Sequence, residues 1–202
     1  MEKHSPDDAE PDALGDESHR HRLSDALGTT DLALNRYRIA PGEGFPSGLH
    51  AHADQEEVFV VVEGEATFET LARRDDGAVA NEGREITVGP GEAIRFSPGE
   101  FQSGRNDADG DLVAFALGAP RESDDVRIPV TCPECGNGEM RLDAGGDGPT
   151  FVCPDCSAER VPGGCPDCGS EMYVALGATS RPVVVCDSCG VELEAAPFVE
   201  EA

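Results

Sequence analysis

The chain has 202 residues, enough for one domain of common size and a smaller one. Its 41 Asp and Glu residues against 15 Lys and Arg residues give a formal net charge of −26, so it offers no basic stripe that could release counterions from nucleic acid. No apolar run approaches the length of a bilayer span, and the first 25 residues lack the apolar segment of a secretory signal. We therefore expect a cytoplasmic protein that binds neither nucleic acid nor membranes.

The acidic excess has two interpretations. High net charge is typical of disordered chains, which fits the N-terminus but not the regular apolar patterns of the body. The second interpretation is salt adaptation, since the chain contains a single lysine (Lys3), no Trp and only 5% aromatic residues. At ~1 M salt the Debye length is about 3 Å, so self-repulsion is largely screened. The composition therefore predicts a protein from a halophile.

Residues 1–26 are rich in Asp, Glu, Pro, Ser and His, and are predicted to form a disordered acidic tail. Three of the five histidines of the chain, His4, His19 and His21, lie here. A His-rich tail can bind metal loosely, but a solvated arm is the expectation.

Residues 27–119 are predicted to be all-β. Leu32, Leu34, Tyr37 and Ile39 alternate with one slip, which is typical of a bulged strand. Further strands are predicted at 58–62, 66–70, 86–88, 94–96 and 112–117. Turns rich in Gly and Pro separate several of them, and no helical period is present, so a sandwich or barrel is expected.

Residues 120–130 are polar with a Pro near each end and are interpreted as a linker; residues 193–202 form a second acidic tail. The region between them contains all the cysteines, arranged as four Cys-x2-Cys pairs: Cys132/Cys135, Cys153/Cys156, Cys165/Cys168 and Cys186/Cys189. Each cysteine of the first two pairs recurs 33 positions later. This internal repeat predicts two similar units, at 131–160 and 161–192.

The spacing is that of zinc ligands, because two cysteines around a tight turn can direct both sulfurs to one ion and a second turn completes a tetrahedron. Gly136, Gly169 and Gly190 follow three of the pairs, at a position where glycine adopts positive φ at little cost, whereas Ser157 follows the pair Cys153/Cys156. The units resemble zinc ribbons, and four cysteines leave no open position, so structural zinc is expected. Iron in a rubredoxin-like site and disulfides stay open as alternatives. A thioredoxin-like redox pair lacks its βαβ context.

Which pairs share an ion rests on the repeat. The repeat predicts that Cys132, Cys135, Cys153 and Cys156 hold the first zinc. It assigns Cys165, Cys168, Cys186 and Cys189 to the second. The competing pairing would join the two central pairs across only eight residues.

A second constellation lies within the β region, in the pattern Gly44-x5-His50-x-His52-x4-Glu57-x6-Gly64. Alternate residues of a strand share a face, so the two histidines can reach one ion, and Glu57 can supply an oxygen from the next strand. Glu56 is the rival for that role.

This pattern resembles the first conserved motif of the cupin superfamily. Gly91, Gly99 and Asn106 match the second motif in register, whereas Ser97 stands in place of its Pro and Gln102 in place of its His. The resemblance covers about residues 30–118. It implies a small jelly-roll barrel, or double-stranded β-helix.

The resemblance further implies one divalent metal, Mn, Fe, Ni or Zn, held by His50, His52, Glu57 and Gln102. An amide oxygen suits a harder ion such as Mn better than the softer metals. The alternative is a metal-free pocket in which these side chains hydrogen-bond to a small molecule. Arg95, near the second motif, is either a surface charge or a pocket residue that binds an anion.

Two functions follow. The first is a metal-dependent enzyme of dioxygenase or isomerase type, acting on a small molecule in the barrel. The second is a ligand-sensing or protein-interaction module in which the ribbons contact a protein partner. The resemblance also implies a homodimer through the barrel sheets.

Overall fold

In the computed structural model, which describes residues 1–8, 10–71, 83–146 and 148–199, the chain consists almost entirely of strands and turns. Two short helical segments, a 3-10 turn at Pro6–Asp8 and α1 at Leu23–Leu27, lie near the N-terminus. The strands are β1 (Asp12–Ala13), β2 (His19–Arg22), β3 (Ala33–Ile39), β4 (Ala51–His52), β5 (Glu56–Glu63), β6 (Ala66–Leu71), β7 (Arg84–Val88), β8 (Ala93–Phe96), β9 (Phe101–Arg105), β10 (Leu112–Ala119), β11 (Val126–Ile128), β12 (Met140–Asp143), β13 (Thr150–Val152), β14 (Glu159–Arg160), β15 (Met172–Leu176), β16 (Pro182–Cys186) and β17 (Glu192–Leu193). The all-β prediction is confirmed.

The barrel consists of two antiparallel sheets around an apolar core. One has the strand order β1-β2-β3-β10-β5-β8, and the other the order β7-β6-β9. Tyr37 and Phe59 from the first sheet pack with Phe68 from the second, and the ring centroids of Phe59 and Phe68 are 4.9 Å apart. Two sheets that share a core of inward-facing residues form the predicted jelly roll.

The bulge predicted in the first barrel strand is absent. β3 pairs with β10 without interruption, from Ile39 opposite Leu112 to Ala33 opposite Gly118. The apparent slip arises because Leu34 lies on the face opposite Tyr37, and its backbone exchanges hydrogen bonds with the Ser24 hydroxyl of α1. The register shift lies instead between β10 and β5, at Val113/Ala114.

The segment predicted as a disordered N-terminal tail contributes two strands. β2 extends the larger sheet by pairing with β3, and β1 pairs with β2 in turn. Arg20 donates to the Asp12 carboxylate at 2.9 Å, and His21 is buried. Ladder hydrogen bonds and this ion pair order a segment whose polar composition alone favours disorder.

The segment predicted as a linker is also structured. β11 pairs with β4 on one side and with β12 on the other, giving a sheet of order β14-β13-β12-β11-β4. Ile128 and Val130 are buried. The alternation of Val126, Ile128 and Val130 was the available signal, and the neighbouring prolines and charges obscured it.

The two cysteine units, residues 131–160 and 161–192, pack on one end of the barrel. A second core cluster joins Leu49 and Phe101 of the barrel to Met140 of the first unit and Val174 of the second. The Leu49 backbone N–H donates to the Val174 carbonyl at 2.6 Å. The units are therefore docked on the barrel, with which they share apolar core.

The segment predicted as a C-terminal acidic tail is partly structured as well. Val199 donates a backbone hydrogen bond to Val161 at 2.9 Å, and the Phe198 ring lies edge-on to Phe151 at 6.3 Å. These contacts hold the end of the chain against the two units; residues 200–202 lie outside the described part.

None of the helices in the described part of the chain has the length and apolar character of a bilayer span.

Candidate metal centres

Strands β4, β5 and β9 bring the predicted histidines and glutamate together. His50 and Gln102 exchange both backbone hydrogen bonds, at 3.1 and 2.7 Å, and so anchor the start of β4 to β9. Glu57 lies at the beginning of β5. One ligand atom from each of His50, His52 and Glu57 lies within 4.8 Å of the others, a spacing compatible with one shared ion.

The tautomer of His50 follows from its hydrogen bond. Its Nδ1 lies 2.9 Å from the Gly48 carbonyl oxygen, which can only accept, so Nδ1 carries the proton. The lone pair on Nε2 is then available within the cluster. A backbone carbonyl behind a histidine in this way is a common support of metal ligands.

Two hydrogen bonds in series hold the His52 ring. Its Nδ1 lies 3.0 Å from the Ser123 Oγ, and Ser123 donates to the Asp54 carboxylate at 2.6 Å. Since the hydroxyl proton goes to Asp54, Ser123 accepts the Nδ1–H of His52, which leaves the Nε2 lone pair 3.7 Å from Glu57 Oε2. Sequence reasoning missed Ser123 and Asp54 because neither belongs to the motif.

Burial leaves the cluster poorly suited to charge without a counterion. It lowers the pKa of His50, and burial together with the nearby His50 lowers the pKa of His52 to about 4. The same burial raises the pKa of Glu57 to about 7. Two neutral imidazoles and one carboxylate are a donor set that suits a divalent transition metal, whose charge would favour the ionised form of Glu57.

Gln102 joins the cluster as a hydrogen-bond donor. Its Nε2 donates to Glu57 Oε2 at 2.9 Å and lies 3.4 Å from His50 Nε2. An amide nitrogen has no lone pair to offer a metal, so Gln102 could coordinate only after its amide turned over to present the oxygen. The predicted role of Gln102 as a ligand therefore requires a rotation about its last side-chain torsion.

The rival acidic residue and the candidate pocket arginine both lie on the outer surface. Arg95 donates through Nε to Glu56 at 2.8 Å, and the two side chains are 57% and 47% exposed. Alternation along β5 turns Glu57 inward and Glu56 outward. Arg95 pairs opposite Val58 and shares the outer face, which excludes it from the pocket.

A cavity of about 290 Å³ opens beside the cluster, with His50, His52, Glu57 and Gln102 in its wall. The rest of its wall contains two arginines, which the motif analysis did not find, and several hydroxyl and amide groups. These residues include Arg20, Arg121, Asn35, Tyr37, Ser47, Gln55 and Ser103.

The eight cysteines form two clusters in the sequential pairing that the repeat predicted. In the first, Cys132 and Cys156 sulfurs are 3.7 Å apart and those of Cys135 and Cys153 are 3.5 Å apart. In the second, Cys168 and Cys186 sulfurs are 3.4 Å apart. These distances are too long for disulfide bonds and short enough for tetrahedral ligands of one ion.

The turns after the cysteines are alike, including the irregular one. Gly136, Gly169 and Gly190 have φ of 78°, 77° and 71°, and Ser157 has φ of 59°. Each donates its backbone N–H to the carbonyl of the cysteine four positions earlier, as Ser157 does to Cys153 at 3.0 Å. Ser157 thus adopts a conformation that favours glycine.

The thiols within each cluster perturb one another. The Ser170 hydroxyl, its backbone N–H and the Cys186 thiol lower the pKa of Cys168 to about 6. The backbone N–H of Val191 lowers the pKa of Cys189, but the Cys186 thiol, burial and the remaining thiols outweigh it and raise this pKa to about 12. Four adjacent sulfurs resist full ionisation without a cation, and they fit a soft or borderline metal such as zinc.

Comparison with known proteins finds a family and several structures that are similar to the barrel. Residues 35–118 match the Cupin domain family. A sugar phosphate isomerase from a cupin superfamily, from Silicibacter pomeroyi DSS-3, is 21% identical with a TM-score of 0.54, over 77% of this chain and 94% of that one. None of the proteins of curated function matches the sequence.

Two further structures have weaker similarity. KdgF from Halomonas sp. is 18% identical with a TM-score of 0.45, over 57% of this chain and 92% of that one. Lactobacillus farciminis oxalate decarboxylase is 17% identical with a TM-score of 0.48, over 58% of this chain and 32% of that one. The Silicibacter pomeroyi structure, at 21% identity and a TM-score of 0.54, shares the fold of this chain, and its activity is not carried over. The barrel therefore has a cupin-type fold, and residues 35–118 match the Cupin domain family.

Proposed function

We propose that the cupin domain binds one divalent metal through His50, His52 and Glu57 and acts on, or binds, a small molecule in the adjacent cavity. The observation that carries this proposal is the convergence of the three ligand atoms within 4.8 Å on the wall of a 290 Å³ cavity. The size of the cavity is at the lower end of the range for small-molecule sites.

The donor set allows Mn, Fe, Ni or Zn, and a bound metal would polarise an oxygen of a ligand placed in the cavity. The chain's own residues have defined tasks. The Gly48 carbonyl and the Ser123 hydroxyl hold the two imidazoles in the tautomer that leaves each Nε2 unprotonated. Gln102, 2.9 Å from Glu57, can donate to that carboxylate or to a ligand oxygen, and so can hold the Glu57 carboxylate in place beside the metal.

We further propose that each cysteine unit holds one zinc ion. The four sulfurs of each cluster leave no ligand position open, so the role of the ion is structural. Zinc would supply a unit of ~30 residues with folding free energy on the order of 10 kcal/mol, which its small core cannot provide.

Metal content per chain tests both parts. Mass spectrometry on protein purified in high salt, without a His tag or chelator, should find two zinc ions and about one further divalent metal. Two zinc ions alone would contradict the barrel part of the proposal and leave a metal-free binding pocket. Fewer than two zinc ions, with iron in their place, would contradict the zinc assignment.

A second candidate function is ligand sensing, in which the cysteine units transmit occupancy of the barrel to a protein partner. The observation in its favour is that one sheet joins the barrel site to the first cysteine unit. In that sheet β4, which contains His52, pairs with β11, and His52 lies opposite Val126. Ligand-dependent stabilisation of the folded chain without turnover would favour sensing, whereas turnover of the ligand would favour an enzyme.

A further inference from the structure

We propose that the ligand of the cavity is a small anion, with a carboxylate or phosphate group that Arg20 and Arg121 bind. The inference rests on the function proposed above, because it places this anion beside the metal site. Both arginines line the cavity whose wall contains His50, His52 and Glu57.

Arg20 is held in a fixed orientation. Its Nε and Nη2 both donate to Asp12 Oδ2, at 3.2 and 2.9 Å, and its side chain is 21% exposed. A guanidinium has five N–H groups, so two bonds to Asp12 orient the plane and leave other donors for a ligand. Asp12 also accepts a hydrogen bond from Arg22 Nε, so two arginines of β2 fix the position of this carboxylate.

Arg121 follows the last barrel strand, β10, and its side chain lines the same cavity. Its Nη1 donates to the Thr29 carbonyl, its Nη2 to Asp25, and its Nε lies 3.3 Å from Glu122. The side chain is 27% exposed, so the charge is only partly solvated. Anchored arginines lose little side-chain entropy when an oxyanion binds, and the planar fork matches carboxylate and phosphate oxygens.

Charge makes the cavity unusual for this chain. The chain has a formal charge of −26, yet among the described residues the cavity wall contains two guanidinium groups and a single carboxylate, Glu57. The carboxylates that pair with these guanidinium groups, those of Asp12, Asp25 and Glu122, lie outside the wall. A divalent metal would add further positive charge there. The polar groups of Asn35, Ser47 and Ser103 in the same wall suit the hydroxyl groups of a small ligand. The lining therefore favours a hydroxylated anion over a neutral or cationic molecule.

Neither arginine belongs to the part of the chain that matches the cupin family. Arg20 lies on β2 and Arg121 follows β10, so both are outside residues 35–118. The segments that sequence analysis assigned to a tail and a linker thus supply the proposed anion site, which would be a property of this chain's additions to the barrel.

The test is isothermal titration of the full, metal-loaded chain with glycerol 3-phosphate, glycerate and glycerol. These probes share a polyol backbone and differ in their phosphate, carboxylate or neutral end. We expect an anion to bind and glycerol to bind at least about tenfold more weakly, since hydrogen bonds to charged groups contribute about 1.5–3 kcal/mol. The anion that binds more tightly identifies the source as phosphate or carboxylate.

Arg20→Gln and Arg121→Gln should each weaken anion binding at least about tenfold, and the corresponding Lys variants should lose less because they retain the charge. Arg95→Gln is the matched control, since Arg95 forms an exposed ion pair with Glu56 on the outer face. The metal content of each variant verifies that the metal sites are intact.

Three outcomes overturn the proposal: equal binding of glycerol and the anions, no anion binding by metal-loaded protein, and affinity unchanged in both Gln variants. Failure of the proposed function gives a different result, because the wild-type chain would then contain no metal in the barrel. In that case anion binding that still depends on Arg20 and Arg121 would support the anion site by itself.

Discussion

The cysteine clusters and the barrel cluster are assembled over very different distances along the chain. The paired sulfurs of Cys132 and Cys156 are 24 positions apart, and the second cluster repeats this spacing. In the barrel, Gln102 reaches Glu57 across 45 positions and Ser123 supports His52 across 71. Local spacing can therefore describe a cysteine site almost completely, whereas a barrel site depends on residues that only the fold brings together.

The largest expected effect is loss of a cysteine ligand. Cys132→Ser and Cys165→Ser should each lose one zinc ion relative to the wild type and unfold the affected unit, since zinc contributes on the order of 10 kcal/mol to its folding. Zinc content and thermal melting measure this. Glu159→Gln, an exposed change in the first unit, is the control. A zinc content equal to that of the wild type in either Ser variant would contradict the assigned ligands.

Loss of a barrel ligand should have a narrower effect. His50→Ala and His52→Ala should abolish binding of the barrel metal while the two zinc ions of the cysteine clusters remain, because the clusters use separate ligands. Metal content per chain distinguishes the outcomes. Glu56→Gln is the matched control for Glu57→Gln, since Glu56 faces outward. If Glu56→Gln lost the metal and Glu57→Gln did not, the inward and outward assignments along β5 would be wrong.

Loss of a residue that orients a metal ligand should have a smaller effect still. Ser123→Ala removes the acceptor of the His52 Nδ1–H and should weaken metal binding about 10- to 100-fold, as for other residues that orient metal ligands. Metal titration of the stripped protein measures the change. Thr30→Ala, at an exposed hydroxyl that contacts only its neighbour Asp31 among the bonds described, should leave the affinity unaltered. Equal metal affinities for Ser123→Ala and the wild type would contradict the role of Ser123 in orienting His52.

The smallest effect is expected at the irregular cysteine turn. Ser157→Gly should stabilise the first unit by about 0.5–1 kcal/mol, because Ser157 has φ of 59° where glycine is favoured. Gly136→Ser, at φ of 78° in the same unit, should destabilise it by a similar amount. Denaturant unfolding of the zinc-loaded chain compares them. A destabilised Ser157→Gly variant would mean that the serine side chain has a role the turn geometry does not require.

Sequence reasoning failed where polar strands depend on their neighbours. β2 is the segment His19–Arg22, with no apolar alternation, and it is ordered because β3 offers a free edge and Asp12 an ion-pair partner. β11 is ordered because it fills the gap between β4 and β12. Neither edge exists until the barrel and the first cysteine unit have folded, so composition indicated a tail and a linker.

By itself the sequence determined the all-β barrel, the sequential grouping of the cysteines and the candidate set around His50, His52 and Glu57. Apolar alternation and ligand spacing are local properties that strands and tight turns convert directly into geometry. The tertiary structure alone decided that Glu57 faces inward, that Ser123 supports His52, and that Arg20 and Arg121 reach the same cavity. Those contacts join segments far apart in the chain, and no local pattern specifies which side chains meet when two sheets and two cysteine units pack together.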